Sequence, residues 1–151
     1  MNAPYPMLWF EDQAEQAAEL YVSLFPNSSI TRIERYPEGL PGEAGTVMTV
    51  DFELDGARVS ALNGGPTYTL SPAFSFVVGC QDQAEIDKLW DALIADGGEE
   101  SQCGWLVDRF GTSWQIIPED IGDLIKHPAA MEAMLGMQKI DLARLEEAAG
   151  V

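Results

Sequence analysis

Reactive side chains are scarce in this chain, which has two cysteines and one histidine among 151 residues. Cys103, ahead of Gly104-Trp105, is the candidate nucleophile. Nucleophilic attack needs the thiolate, and a thiolate needs a base or positive surroundings. The histidine, His127, stands well downstream beside Pro128, where it ends a helical stretch. Cys103 therefore reads first as a small packed or loop residue, and Cys80, closing an apolar stretch, as core. Asp108-Arg109 is a second candidate, for holding a polar substrate. The structural alternative has Asp108 closing a tight turn at Gly111 while Arg109 meets a surface acid, a pairing worth about 0–1 kcal/mol. No base and nucleophile stand together, so enzymatic chemistry lacks its usual signature.

Charge and composition narrow the partners. Eight Lys+Arg stand against 25 Asp+Glu, a net charge of −17. Such a surface repels phosphate backbones, so no nucleic acid is expected. Anionic membrane surfaces are disfavoured for the same reason. No apolar run is long enough to span a bilayer. The opening Met1-Asn2-Ala3-Pro4-Tyr5-Pro6 shows no basic and apolar leader, and the cysteines form no CxxC. A reduced, cytoplasmic protein is the expectation.

The elements that must position any site come in two similar halves. Asp12-Gln13-Ala14-Glu15 recurs as Asp82-Gln83-Ala84-Glu85, each time after a strand-like stretch, Met7–Phe10 and Phe74–Val78. Each copy opens a helix. Ala14, Ala17, Ala18, Tyr21, Leu24 and Phe25 recur at helical spacing in the first, and Ile86, Leu89, Trp90, Leu93 and Ile94 in the second. Asp12 and Asp82 stand at the N-cap position with Glu three residues on. Strands follow at Ser29–Tyr36, Thr46–Leu54 and Ala57–Asn63, then at Glu99–Gln102, Trp105–Phe110 and Ser113–Pro118. Asp55-Gly56 is a hairpin signal. The reading is α+β: module one over 1–66, module two over 72–118, and an appended helical tail over 119–151. In the tail, apolar faces form around Ile121, Leu124 and Ile125, then Met131, Met134, Leu135 and Met137, then Leu142 and Leu145.

This plan resembles the vicinal-oxygen-chelate superfamily of glyoxalase and bleomycin-resistance folds. Leu8-Trp9-Phe10, Leu24-Phe25-Pro26-Asn27-Ser28, Arg35-Tyr36-Pro37, Leu62-Asn63-Gly64-Gly65-Pro66 and the run Cys103–Gln115 are similar to its PhnB-like branch. Lys139-Ile140-Asp141-Leu142 looks like that branch's C-terminal tail. The resemblance implies two βαβββ modules curling into a cupped, barrel-like mixed sheet around one ligand cavity. The branch often carries the name of a demethylubiquinone methyltransferase. The chain lacks the Gly-rich strand-to-helix loop that would cradle a nucleotide-like methyl donor, so none is expected, and Asn63-Gly64-Gly65-Pro66 reads as a turn.

Metal-using members of the superfamily draw four ligands from the first and last strand of each module. Carried over by spacing, those positions are Pro6, Ser60, Phe76 (or Ser75 if the register slips by one) and Gln115. Proline and phenylalanine ligate nothing, and Ser with a neutral amide is too weak a set. The expectation is therefore no metal and no cofactor. Strand alternation puts Gln115 and Ile117 on the cavity side, Trp114 on the helix side, and Trp9 under the first helix. The implied binding residues are Ser60, Leu62, Phe76 and Gln115, with Phe74 and Ile117 adding apolar lining and Trp105 at the cavity mouth or in the core. They suit an apolar molecule with one or two hydrogen-bonding groups. Three roles follow: a small-molecule-binding protein of unknown ligand, a metal-independent enzyme on a small organic substrate, or an interaction module. The fold alone does not choose among them. A homodimer is expected, because this superfamily usually pairs two chains and the Met131, Met134, Met137 stripe needs cover.

Overall fold

A computed structural model describes residues 1–151, which divide into two compact units, Met1–Leu70 and Ser71–Val151. The first unit runs β1 (Met7–Phe10), α1 (Ala14–Leu24), β2 (Ser29–Arg35), β3 (Val47–Leu54) and β4 (Ala57–Asn63). Its sheet has the order β1-β4-β3-β2, with β1 parallel to β4 and the other pairs antiparallel. The Asp55-Gly56 turn joins β3 to β4 with both φ angles positive, 47° and 83°. That is the hairpin geometry whose twist matches the strands, and glycine at its second position carries no Cβ penalty.

The second unit repeats the topology. β5 (Ser75–Cys80), α2 (Gln83–Ile94), β6 (Glu99–Glu100), β7 (Trp105–Val107) and β8 (Ser113–Pro118) form a sheet of order β5-β8-β7-β6. β5 is parallel to β8. The tail adds α3 (Ile121–Leu124), α4 (Pro128–Leu135) and α5 (Leu142–Ala149). The fold is thus α+β, two βαβββ modules with helices appended.

In each unit one sheet face is closed by the helix. In the first, Leu8, Phe10, Val50, Phe52, Val59 and Ala61 are buried together with Ala14, Ala17, Ala18 and Tyr21 of α1. In the second, Leu106, Trp114 and Ile116 are buried with Ile86, Leu89, Trp90 and Leu93 of α2. Strand period two then leaves the alternate residues on the opposite, helix-free face.

The two repeated Asp-Gln-Ala-Glu segments start their helices differently. Asp82 caps α2, accepting from Glu85 N at 2.9 Å, and Glu85 reaches back to Gln81 N at 2.8 Å. Asp12 makes no such cap, because α1 begins one residue later, after Gln13. Asn63, at the end of β4, takes over: its Oδ1 accepts from Ala14 N at 2.8 Å and its Nδ2 donates to the Val47 carbonyl at 3.1 Å. One side chain thus ties the helix start to β3.

The tail packs on its own unit. Met137, Ile140 and Leu145 are buried. The Met137 and Gln138 carbonyls accept from Cys103 N and Gly104 N, both at 2.8 Å. Gln83 bridges α2 to the tail through the Ile140 carbonyl at 3.0 Å and Leu142 N at 2.8 Å. Of the methionine stripe, Met137 lies in this core, while Met131 and its helix neighbour Leu135 stay exposed. No helix is long and apolar enough to cross a membrane.

Candidate functional site

Register fixes which side chains share the helix-free faces. In the first unit Met7, Ser60 and Asp51 form one row, and Trp9, Leu62 and Thr49 the next. Ser60 and Leu62 are thus together, as the sequence implied. Trp9 joins them and does not pack under α1, where Leu8 sits instead. Its indole donates to the Gly65 carbonyl at 2.9 Å and meets the Tyr68 ring edge-on at 5.0 Å.

Ser60 is not free to serve a ligand. It is buried, and its hydroxyl donates to the Asp51 carboxylate. Arg58 holds the other oxygen of Asp51 at 3.2 Å and lies 3.6 Å from the Tyr5 ring centroid. The Asp51–Ser60 pair thus ties β3 to β4 and occupies the Ser60 hydroxyl.

In the second unit the rows are Ser75, Ser113, Val107 and Glu99, then Val77, Gln115 and Trp105. Gln115 Nε2 donates to Ser75 Oγ at 3.0 Å, leaving its amide oxygen available. Trp105 lies directly across from Gln115 on the same face, and Ile117 is two residues along β8. Phe76 does not share this face. It lies across from Trp114, with ring centroids 4.6 Å apart, on the α2 side. The slip to Ser75 is what the structure realises. Phe74, outside β5, meets the Phe76 ring at 5.3 Å.

The same one-residue displacement accounts for Trp9 and Phe76. Counting back from the helix puts Pro6 and Phe76 on the open face, whereas strand pairing puts Met7 and Val77 there. Sequence reasoning also passed over Ser113. It stands two residues before Gln115 on a strand, and that spacing alone places it on the same face.

These residues do not fit a divalent cation. Pro6 offers only its carbonyl, which accepts from Ser60 N at 3.0 Å. Ser60 is spent on Asp51, and Ser75 with Gln115 supplies no negative charge. Nowhere do three or more His, Cys, Asp or Glu side chains gather as a metal group. A methyl donor's anionic portion has no cradle at Asn63–Pro66 either. Gly64 N and Gly65 N donate to the Phe10 and Glu11 carbonyls, at 2.9 and 3.2 Å. A Cβ on Gly64 would lie 2.3 Å from the Trp9 ring, so this glycine is there for close packing.

Of the remaining candidates, Asp108 builds local structure. Asp108 is buried, and its Oδ1 accepts from Phe110 N and Thr112 N at 2.9 and 3.1 Å. Its Oδ2 accepts from the Trp114 indole at 2.9 Å. This carboxylate builds the turn at Gly111, and Arg109 faces Asp96 at 3.9 Å. Burial, followed by the charges of Glu85 and Asp82, pushes the Cys80 thiol up to about 11. Cys103 is half-buried at the tail junction. His127 is the residue before α4, with Pro128 at the helix start.

A family model described as 3-demethylubiquinone-9 3-methyltransferase matches residues 3–117, so the tail lies outside it. A solved structure described as a putative 3-demethylubiquinone-9 3-methyltransferase, PhnB protein, from Bacillus cereus is 34% identical. That match has a TM-score of 0.71 and covers 78% of this chain and 99% of the other. Protein PA1353 from Pseudomonas aeruginosa matches at 18% identity and TM-score 0.64, covering 79% and 98%. The fosfomycin resistance protein FosX from Listeria monocytogenes shares the fold at 13% identity and TM-score 0.58, covering 81% and 94%. No curated protein matches.

Proposed function

This chain belongs to the 3-demethylubiquinone-9 3-methyltransferase family, the PhnB-like branch of the vicinal-oxygen-chelate superfamily, and from that premise we propose that it binds a small organic molecule without a resident metal. The observation that carries this reading is the helix-free face around Gln115. One amide, fixed by Ser75, stands among Trp105, Val77 and Ile117. An apolar face with a few placed polar groups suits a small organic molecule. Methyl transfer, the activity in the family's description, is not extended to this chain, because the glycine turn has already spent its N–H donors on the backbone.

We place the protein in a reducing compartment such as the cytoplasm, in line with its two unpaired cysteines. Its charge of −17 argues against nucleic-acid partners. The assembly we propose is a homodimer. The test of the main reading is a thermal-shift and native mass-spectrometry screen with Zn, Ni, Mn and Fe salts, S-adenosylmethionine and a metabolite library. A neutral organic molecule should bind at Trp105 while the metals and the methyl donor leave the protein unchanged. One metal per chain, lost on Gln115→Ala, or micromolar binding of S-adenosylmethionine would overturn it.

A further inference from the structure

We infer that the ligand presents to this face an uncharged hydrogen-bonding group, such as a carboxamide, and that Ser113 and Gln115 together read it. This inference rests on the ligand-binding reading and names the chemistry the site recognises.

The first observation is Ser113 itself. It is 1% exposed, and no group of the protein hydrogen-bonds its Oγ. Buried hydroxyls are normally paired, and an orphan calls for an explanation. Ser113 lies directly across from Ser75 and two residues from Gln115 on one strand, so all three share a face. The orphan hydroxyl therefore belongs to the same polar patch.

The second observation is the direction of the donors. Gln115 spends an N–H on Ser75 and keeps a carbonyl oxygen that only accepts. Ser113 keeps an unpaired hydroxyl that can donate as well as accept. A ligand N–H or O–H would meet the Gln115 oxygen, and the adjacent C=O would accept from Ser113. A carboxamide, with its N–H and C=O side by side, can engage both residues in this way.

The third observation is charge. The three polar residues are neutral, and their strand neighbours on this face are Val77, Val107, Trp105 and Ile117. The charged residue in register with them is Glu99, two strands beyond Ser113, or about 10 Å. A charged ligand group brought to a buried hydroxyl would lose its hydration with no opposite charge beside it, which costs far more than burying a neutral one.

The test uses the full-length protein and three matched probes: benzamide, benzoate and benzylammonium. Titrations are followed by NMR at the Trp105 indole and the Gln115 side-chain amide. Benzamide should bind more tightly than either charged probe, and Ser113→Ala should weaken it by about tenfold, the upper end for one neutral hydrogen bond. Equal binding of benzoate, or benzamide binding unaffected by Ser113→Ala, would overturn the inference while a response at Trp105 keeps the binding reading alive. No response at Trp105 to these probes or to the metabolite library would overturn both.

Discussion

Replacing Ser113 by alanine should make the free protein more stable, an uncommon outcome for a buried position. The hydroxyl is buried and has no partner in the chain. An unsatisfied buried polar group costs about 1–3 kcal/mol, because its hydration is lost and nothing replaces it. Alanine keeps the Cβ and removes one oxygen, so the packing loss stays below that of a methylene, about 0.8 kcal/mol. The net gain is then of order 1 kcal/mol. For a chain of this size that raises Tm by about 2–4 °C. Ser75→Ala supplies the control directly across the strand pair. Its hydroxyl accepts from Gln115, so its loss should cost about 0.5–1.5 kcal/mol. Urea unfolding with an unchanged m-value measures both. Opposite signs at two serines in register support the reasoning. A destabilisation of 1 kcal/mol or more in Ser113→Ala would refute it, since the hydroxyl would then be paired in the native protein.

Asp108→Ala should destabilise by about 3 kcal/mol or more in the same assay, since it strands two backbone donors and the Trp114 indole, each costing about 1–3 kcal/mol. With a thiol-reactive dye at neutral pH, Cys103 should react before Cys80, whose thiol is buried and pushed up to about 11; equal native rates would contradict the packing described. Asp87 is held below the ordinary carboxylate range, first by the hydrogen bond from Lys139 and then by that from Gln83. That pair's contribution is complete above about pH 4 and lost as pH falls through the lowered value, so Lys139→Met should lower stability slightly in the neutral region, leave it unchanged at the lowest pH, and so flatten the acid limb between them. For the proposed dimer, Leu135→Lys with Met131→Lys on α4 should raise the dissociation constant in sedimentation equilibrium without unfolding the chain; a wild-type monomer at tens of micromolar would dispose of it.

What the sequence determined by itself was whatever rests on local contrast. Asp55-Gly56 specifies its hairpin because few other dipeptides tolerate two positive φ angles. The β8 segment Trp114-Gln115-Ile116 announces its phase through one polar residue between apolar ones, and the structure places Gln115 as that alternation predicts. The repeated Asp-Gln-Ala-Glu marks two modules, and both sheets have the same strand order. The tertiary structure decided what local contrast does not encode. β1 reads Met7-Leu8-Trp9-Phe10, apolar on both faces, and β5 carries aromatic and β-branched residues in succession. With no polarity alternation, their phase is set by pairing with β4 and β8, and a one-residue error moves Trp9 and Phe76 to the wrong face. Asn63 replaces Asp12 at the start of α1 because the third dimension brings the end of β4 to that helix. Ser113 looks like any strand serine, and only packing shows that its hydroxyl is buried and unpaired. Local chemistry chooses the elements, while the partner strand, distant in sequence, chooses which of their faces meets a ligand.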